Sequence, residues 1–126
     1  MLPSGVLNKA IKEANKSNMP VFRIGAVVFK GNRILSSGHN SKGFCGKIHP
    51  KYRNIRDSVH AEQSAILGVK DWGKLKGTSI ITIRITRTGI ISMAKPCEMC
   101  MSMIRYTGIK EIYYSNHNGE IVREEI

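Results

Sequence analysis

Two short fragments constrain the fold of this chain more than any other feature of its 126 residues. The first is the tripeptide HAE at residues 60–62, and the second is the pentapeptide PCEMC at residues 96–100. Each stands at the start of a predicted helix, and one predicted strand separates the two helices. A site that is built from both fragments requires the starts of these two helices to lie side by side.

The side chains of these fragments are suited to a metal ion. One imidazole and two thiols are donors that Zn²⁺ accepts readily. His60, Cys97 and Cys100 would supply three ligands, which leaves a fourth position for water, as in catalytic zinc sites. Because Cys97 and Cys100 are three residues apart at a helix start, both sulfurs can lie on one face, where the helix dipole favours thiolates. The sequence therefore predicts Zn²⁺ as cofactor, held by these three residues.

Glu62 is the candidate catalytic residue. It follows His60 by two residues, so it can reach a water on the metal without being a ligand itself. Zinc lowers the pKa of such a water from about 15.7 to about 7. A neighbouring carboxylate can take the proton from this water and return it to a leaving amine. Hydrolysis of an aminated heteroaromatic carbon to a carbonyl, with release of ammonia, uses this arrangement.

Other interpretations of the same residues remain open at this point. A closed structural zinc site needs a fourth protein ligand, and the available donors are His39, Cys45, His49 and His117. A redox C-x-x-C pair is another alternative. Neither alternative explains the position of Glu62. Cys45 and His49 could also form a second metal site, although a free thiol and a loop histidine are the simpler interpretation.

The pattern of the whole chain predicts one α/β domain, residues 1–126, with a mixed sheet of about five strands and helices on both faces. The predicted helices are residues 4–16, capped by Ser4, residues 58–69 and residues 97–106. The predicted strands are residues 21–29, 33–37, 78–85, 109–115 and 120–125. Because the turn at residues 116–119 is too short for a parallel crossover, the last two strands are predicted to be antiparallel.

The charge of the chain indicates an anionic partner. Twenty Lys and Arg residues against nine Asp and Glu residues give a net charge of +11, and residues 1–57 hold eleven of the basic and two of the acidic residues. A long polar loop is predicted at residues 40–57, and loops of this length are more often functional than not. Its basic side chains could bind a nucleotide phosphate or a nucleic-acid backbone, or could form a solvated surface. They are Lys42, Lys47, Lys51, Arg53 and Arg56.

Aromatic residues and the cellular compartment are less strongly indicated. Phe44 and Tyr52 flank the proposed pocket loop and could stack on a base, whereas Trp72 is better explained by packing or an oligomer contact. The chain has three cysteines, no apolar stretch of about 20 residues and no basic-then-apolar start. We therefore expect a cytoplasmic protein with no membrane partner.

The HAE and PCEMC fragments together resemble the zinc-binding signature of the cytidine and deoxycytidylate deaminase superfamily, H-x-E followed by P-C-x-x-C. The resemblance extends over most of the chain, through residues 38–40, HAEQSAIL, the strand before PCEMC and GIKEIYYS after it. It implies a cytidine deaminase-like three-layer α/β/α fold. It also implies that Ala61 presents backbone groups to the base, and that Asn40 hydrogen-bonds to the sugar or the base edge. The basic loop, with Lys51, Arg53 and Arg56, would lie beside the substrate pocket.

This resemblance predicts a hydrolytic deaminase that converts cytosine to uracil in a free nucleotide or nucleoside. The basic loop favours CMP or dCMP over cytidine. One alternative is a deaminase that acts on cytosine or adenine in single-stranded DNA or RNA. Another is a catalytically silent zinc domain that binds nucleic acid or a protein partner. Because relatives that resemble this chain commonly form dimers or tetramers, we also expect a homo-oligomer.

Overall fold

The computed structural model describes residues 2–19, 22–42 and 58–126. Its helices are α1 Ser4–Lys16, α2 Ala61–Leu67 and α3 Glu98–Thr107. Its strands are β1 Arg23–Lys30, β2 Arg33–His39, β3 Ser41–Lys42, β4 Ser58–Val59, β5 Ser79–Ile85, β6 Ile91–Ser92, β7 Glu111–Ser115 and β8 Ile121–Glu125. A short 3-10 helix covers Trp72–Leu75.

The strands form a mixed sheet in the order β2-β1-β5-β7-β8, and β6 adds to β5 at one end. β1 is antiparallel to β2 and β5. β5 and β7 are parallel, because the chain crosses over between them through α3. β7 and β8 are antiparallel across a tight turn. The predicted sheet of about five strands and its antiparallel last pair are confirmed.

The two faces of the sheet carry different helices. Because side chains alternate along a strand, Val27 and Ile81 point to one face and pack against α1. Val28, Ile80 and Ile112 point to the other face and pack against α2 and α3. The molecule therefore has three layers, with α1 on one side and the two helices that carry the HAE and PCEMC fragments together on the other. The predicted three-layer α/β/α fold is confirmed.

Two glycines fix the position of these helices. At Gly38 of β2, a Cβ atom would lie 2.5 Å from Ser64 Oγ and 2.6 Å from the backbone nitrogen of Ala65, so α2 rests directly on the strand. Gly108 has a φ of 84° and ends α3 in the left-handed conformation that glycine adopts without strain. The predicted end of the third helix is confirmed.

The start of α2 differs from the sequence prediction. Residues 58–69 are predicted as one helix, but Ser58–Val59 is a strand that pairs with Ser41–Lys42, and the helix begins only at Ala61. The helix that the apolar periodicity predicts is present as α2. Its first residue, however, is set by the backbone pairing of the preceding residues with a distant segment. At α1, Pro3 is the N-cap and makes no side-chain cap, so the predicted cap by Ser4 is wrong by one residue.

Some of the predicted residues fall in segments that the structure does not describe. Residues 43–57 lie outside the described residues, and with them the predicted phosphate contacts, the possible second metal site and the possible stacking residues. These are Phe44, Cys45, Lys47, His49, Lys51, Tyr52, Arg53 and Arg56. Among the residues that are described, no helix is both long enough and apolar enough to cross a membrane.

We predict that Gly38→Ala lowers the free energy of unfolding by about 1–3 kcal/mol, because the new methyl group must push α2 away from β2. Urea denaturation followed by circular dichroism measures this change. Gly5→Ala is the matched control, since a Cβ at Gly5 meets nothing within 4 Å. If both variants have the same stability, α2 and β2 are not in the close contact described above.

Candidate active site

The donor atoms of His60, Cys97 and Cys100 come together where α2 and α3 begin. His60 is the N-cap of α2, Cys97 is the N-cap of α3, and Cys100 lies in the first turn of α3. His60 Nδ1 lies 3.1 Å from Cys100 Sγ and 3.8 Å from Cys97 Sγ. All three donor atoms lie within 4.8 Å of one another. The structure thus brings the three predicted ligands together.

The backbone of His60 is held by α2 and by the short β3–β4 ladder. The ladder pairs Ser41 with Val59, directly before His60. The backbone N–H of His60 donates to Gln63 Oε1 over 2.9 Å, and Gln63 is completely buried. Gln63 was missed in the sequence, although a Gln three residues after the N-cap is half of a capping-box pattern.

The segment that leads to Cys97 is tied to two strands. The buried hydroxyl of Thr82 in β5 donates to the carbonyl of Ala94 over 2.7 Å. The backbone N–H of Ala94 donates to the carbonyl of Ser115 in β7 over 2.9 Å. Ser115 Oγ in turn donates to the carbonyl of Ser92. These bonds fix the chain before α3, and none of these polar residues was assigned a role from the sequence.

The two cysteines differ in exposure and in protonation. Cys97 is exposed and Cys100 is buried. Hydrogen bonds from the Cys100 thiol and from His60 lower the pKa of Cys97 to about 3. The hydrogen bond to Cys97, together with burial, raises the pKa of Cys100. The hydrogen bond to Cys97 also raises the pKa of His60. Cys97 is therefore the more acidic of the two hydrogen-bonded thiols. Because a metal ion binds cysteine as thiolate, metal binding at this pair would release thiol protons.

Glu62 lies beside this group of ligands. The residue is 4% exposed, and its carboxylate is close enough to His60 and Cys100 to influence their charges. Burial raises the pKa of Glu62, against the smaller opposing effect of His60. Glu62 is the second residue of α2, so a buried carboxylic acid lies next to the three donor atoms.

The donor geometry fits zinc. In a tetrahedral site with Zn–N and Zn–S bonds of about 2.0–2.3 Å, neighbouring ligand atoms lie about 3.5–3.8 Å apart. The spacing of His60, Cys97 and Cys100 is close to these values. Among residues 2–19, 22–42 and 58–126, the group of potential metal ligands contains these three and no fourth.

The other histidines of the described chain lie elsewhere. His39 Nδ1 is 3.2 Å from Glu13 Oε1 of α1, on the opposite face of the sheet from α2 and α3. His117 lies in the exposed turn between β7 and β8. Neither can close the site as a fourth ligand. Cys45 and His49 lie outside the described residues.

Asn40 directly precedes β3, the strand that pairs with β4 just before His60. Its side chain is 7% exposed. Asn40 Oδ1 accepts hydrogen bonds from the backbone N–H of Ile24 over 2.9 Å and from Ser17 Oγ over 2.6 Å, and Nδ2 donates to the carbonyl of Phe22. Asn40 therefore connects the start of β1 to the end of α1 at the border of the site.

Two further residues border the site. Ala61, the first residue of α2, is completely buried. Phe22 is 47% exposed, immediately before β1 and in contact with Asn40. Its ring lies against the Arg84 guanidinium, 4.1 Å from the ring centroid. Phe22 was missed in the sequence, because a single aromatic residue before a strand carries no periodic signal.

Residues 3–116 match a family model described as the cytidine and deoxycytidylate deaminase zinc-binding region. The chain belongs to this deaminase family. A curated relative, an uncharacterized deaminase in the luxG 3′ region of Aliivibrio fischeri, is 33% identical over 101 residues. The match covers 77% of this chain, which spans 60% of the length of that relative.

Solved structures of the deaminase family share the fold. The dCMP deaminase of cyanophage S-TIM5 is 26% identical with a TM-score of 0.64, over 93% of this chain and 86% of the other. Its structure in complex with dCMP and dUMP gives a TM-score of 0.58 at 23% identity, over 93% and 85% of the two chains. The cytidine deaminase of Burkholderia pseudomallei has a TM-score of 0.70 at 17% identity, over 99% and 93% of the two chains.

The predicted family and its zinc-binding character are thus confirmed by the family match, and the predicted fold by the structural relatives. The roles predicted for individual residues stay predictions.

We expect the purified deaminase-family chain to hold about one zinc ion, and Cys100→Ser to reduce this to below about 0.2 per chain, because a neutral hydroxyl replaces a buried thiolate ligand. Elemental analysis after gel filtration measures the zinc content. His117→Gln changes a histidine in an exposed turn and serves as control, with zinc content equal to that of the wild type. Full zinc occupancy in Cys100→Ser would contradict the three-ligand site.

Proposed function

We propose that this protein is a zinc-dependent hydrolytic deaminase that converts cytosine to uracil in a free nucleotide or nucleoside and releases ammonia. The observation that supports the proposal most directly is the convergence of His60, Cys97 and Cys100 beside the buried carboxylate of Glu62. These three residues would hold the zinc ion. When bound, zinc supplies a water that is acidic enough to act as nucleophile near neutral pH.

Glu62 moves the proton in this proposal. A hydrolytic deamination moves both protons of the attacking water, one to ring N3 of the base and one to the departing amino group, which leaves as ammonia. A single carboxylate can do both when it lies between the two positions. Glu62 lies close to Cys100, which is one of the three candidate ligands. The group of potential ligands consists of His60, Cys97 and Cys100 and does not include Glu62. Burial of the carboxylate also keeps competing solvent away from it.

The border of the site supplies groups for a planar base. Phe22 presents an exposed ring beside Asn40, and an aromatic ring can stack on a pyrimidine. In this proposal Ala61, the first residue of α2, presents backbone groups to the base. Asn40 is held by three hydrogen bonds, and its amide would bind a sugar or base oxygen.

We further propose CMP or dCMP as the substrate in preference to cytidine. The chain has a net charge of +11, and a cation-rich site favours a phosphate-bearing substrate. Lys51, Arg53 and Arg56 stand in the sequence between Lys42 and Ser58, and these two flanking residues pair with each other close to His60 in the chain. The cyanophage relative was solved in complex with dCMP and dUMP, which agrees with this choice. A homo-oligomeric, cytoplasmic enzyme remains our prediction.

We predict that Glu62→Gln keeps its zinc but loses at least about 100-fold in turnover, because the amide cannot carry the proton. Ammonia release and zinc content are measured on the same preparation. Glu98→Gln is the matched control, since Glu98 is an exposed acid of the PCEMC fragment, and its turnover should equal that of the wild type. Wild-type turnover in Glu62→Gln would show that Glu62 is not the proton carrier.

The substrate class is tested with a panel of cytidine, deoxycytidine, CMP, dCMP, adenosine and single-stranded oligonucleotides, with products identified by mass spectrometry. We expect the mononucleotides to be the best substrates. Their turnover should fall only modestly between 50 and 200 mM salt, whereas a nucleic-acid substrate that contacts several phosphates would lose about 1,000-fold or more in affinity. Oligonucleotides as best substrates, with steep salt dependence, would contradict the free-nucleotide proposal.

A further inference from the structure

Arg84 lies on the same face of the sheet as the candidate active site. Side chains alternate along β5, and Arg84 points to the same side as Ile80 and Thr82. Ile80 packs with α2 and α3, and Thr82 holds the segment before Cys97. Arg84 therefore shares its face with the two helices that carry the candidate zinc ligands.

The strand neighbours of Arg84 also border the site. In the register of the sheet, Arg84 pairs with Ile24 of β1 and with Ser92 of β6. Ile24 is the residue whose backbone N–H is held by Asn40, and Ser92 begins the segment that leads to Cys97.

The charge of Arg84 has no described counter-ion. No ion pair among the described residues includes Arg84. Its Nε is buried and lacks a hydrogen-bond partner among the described residues. Asp71 and Glu98 are the nearest acidic residues along the chain on either side. Arg84 as a whole is only half-buried. Its terminal N–H groups can therefore donate to a ligand that supplies oxygen acceptors.

The contact with Phe22 leaves Arg84 able to bind an anion. The guanidinium lies over the Phe22 ring at 4.1 Å, and a guanidinium that stacks on an aromatic ring keeps its N–H groups free at its edge. Those N–H groups bind phosphate oxygens in a bidentate way. Because Phe22 is 47% exposed, its ring also remains accessible to a base. Arg84 and Phe22 can thus contact different parts of one nucleotide.

We propose that Arg84 binds the phosphate of the substrate and makes the site prefer a cytosine mononucleotide to the nucleoside. The inference rests on the proposed function and identifies a specificity-determining residue for it. Two neighbouring arginines are in different positions. Arg23 Nη2 donates to the carbonyl of Thr86, and Arg87 is exposed in the turn after β5.

The experiment compares wild type, Arg84→Gln, Arg84→Lys and Arg87→Gln, each loaded with zinc. Arg87→Gln is the matched control, because it removes the same charge three residues away at an exposed position. The kcat/KM is measured for dCMP and for deoxycytidine. We expect the kcat/KM of Arg84→Gln to fall at least about 30-fold for dCMP and to stay within about threefold of the wild-type value for deoxycytidine. The kcat/KM of Arg84→Lys for dCMP should lie between those of wild type and Arg84→Gln. Arg87→Gln should match the wild type for both.

Equilibrium binding of the reaction products tests Arg84 without catalysis. Isothermal titration with dUMP and with deoxyuridine should show that the wild type prefers dUMP, and that Arg84→Gln has lost this preference. If the wild type deaminates no cytosine compound, the proposed function fails, and this binding comparison alone decides whether Arg84 recognises phosphate. Thermal melting of each variant shows whether it is folded. If Arg84→Gln does not fold, Arg84→Lys is compared with the wild type instead.

Two results would overturn the role of Arg84. A parallel loss for dCMP and deoxycytidine in the folded variants would show that Arg84 only supports the Phe22 ring. An unchanged preference for dUMP and dCMP in Arg84→Gln would place the phosphate elsewhere, for example on the loop of residues 43–57.

Discussion

The structure depends on one close approach, that of the starts of α2 and α3 on one face of the sheet. His60 precedes the first of these helices and Cys97 precedes the second, and their donor atoms lie 3.8 Å apart. The parallel pairing of β5 and β7 makes this approach possible, because α3 must return across the same face on which α2 rests. Gly38 lets α2 lie directly on β2, which brings His60 to that face.

Buried polar groups keep this arrangement rigid. Gln63 holds the backbone of His60, and Thr82 holds the segment before Cys97, each through a hydrogen bond of its completely buried side chain. Such bonds stabilise modestly when made, but cost more when one partner is lost, so they fix a single geometry. A metal site needs this rigidity, because small displacements of a ligand weaken binding.

Charged groups occur in two regions of the candidate site, at the donor atoms and at Arg84. Near the donor atoms, hydrogen bonding lowers the pKa of Cys97 and raises the pKa of Cys100, and a metal ion that binds both as thiolates would release thiol protons. At the border, Arg84 has a positive charge without a described acid and lies over Phe22. The first region suits a divalent cation and the second suits an anionic substrate. Both occur in a chain whose net charge is +11.

The residues by themselves predicted the candidate ligand set, Glu62, a mixed sheet with helices on both faces and the antiparallel last strands, because each follows from local spacing, periodicity or loop length. The resemblance to the deaminase family predicted the three-layer fold. Gln63 bonds to His60 within a local capping-box pattern, and only its complete burial had to come from the structure. Only the tertiary structure showed that Thr82 holds the segment before Cys97 and that Arg84 lies over Phe22. These contacts join residues that are far apart in the sequence, and no local pattern encodes them. The same reason explains the start of α2, where strand pairing between Ser41 and Val59 overrides helical periodicity.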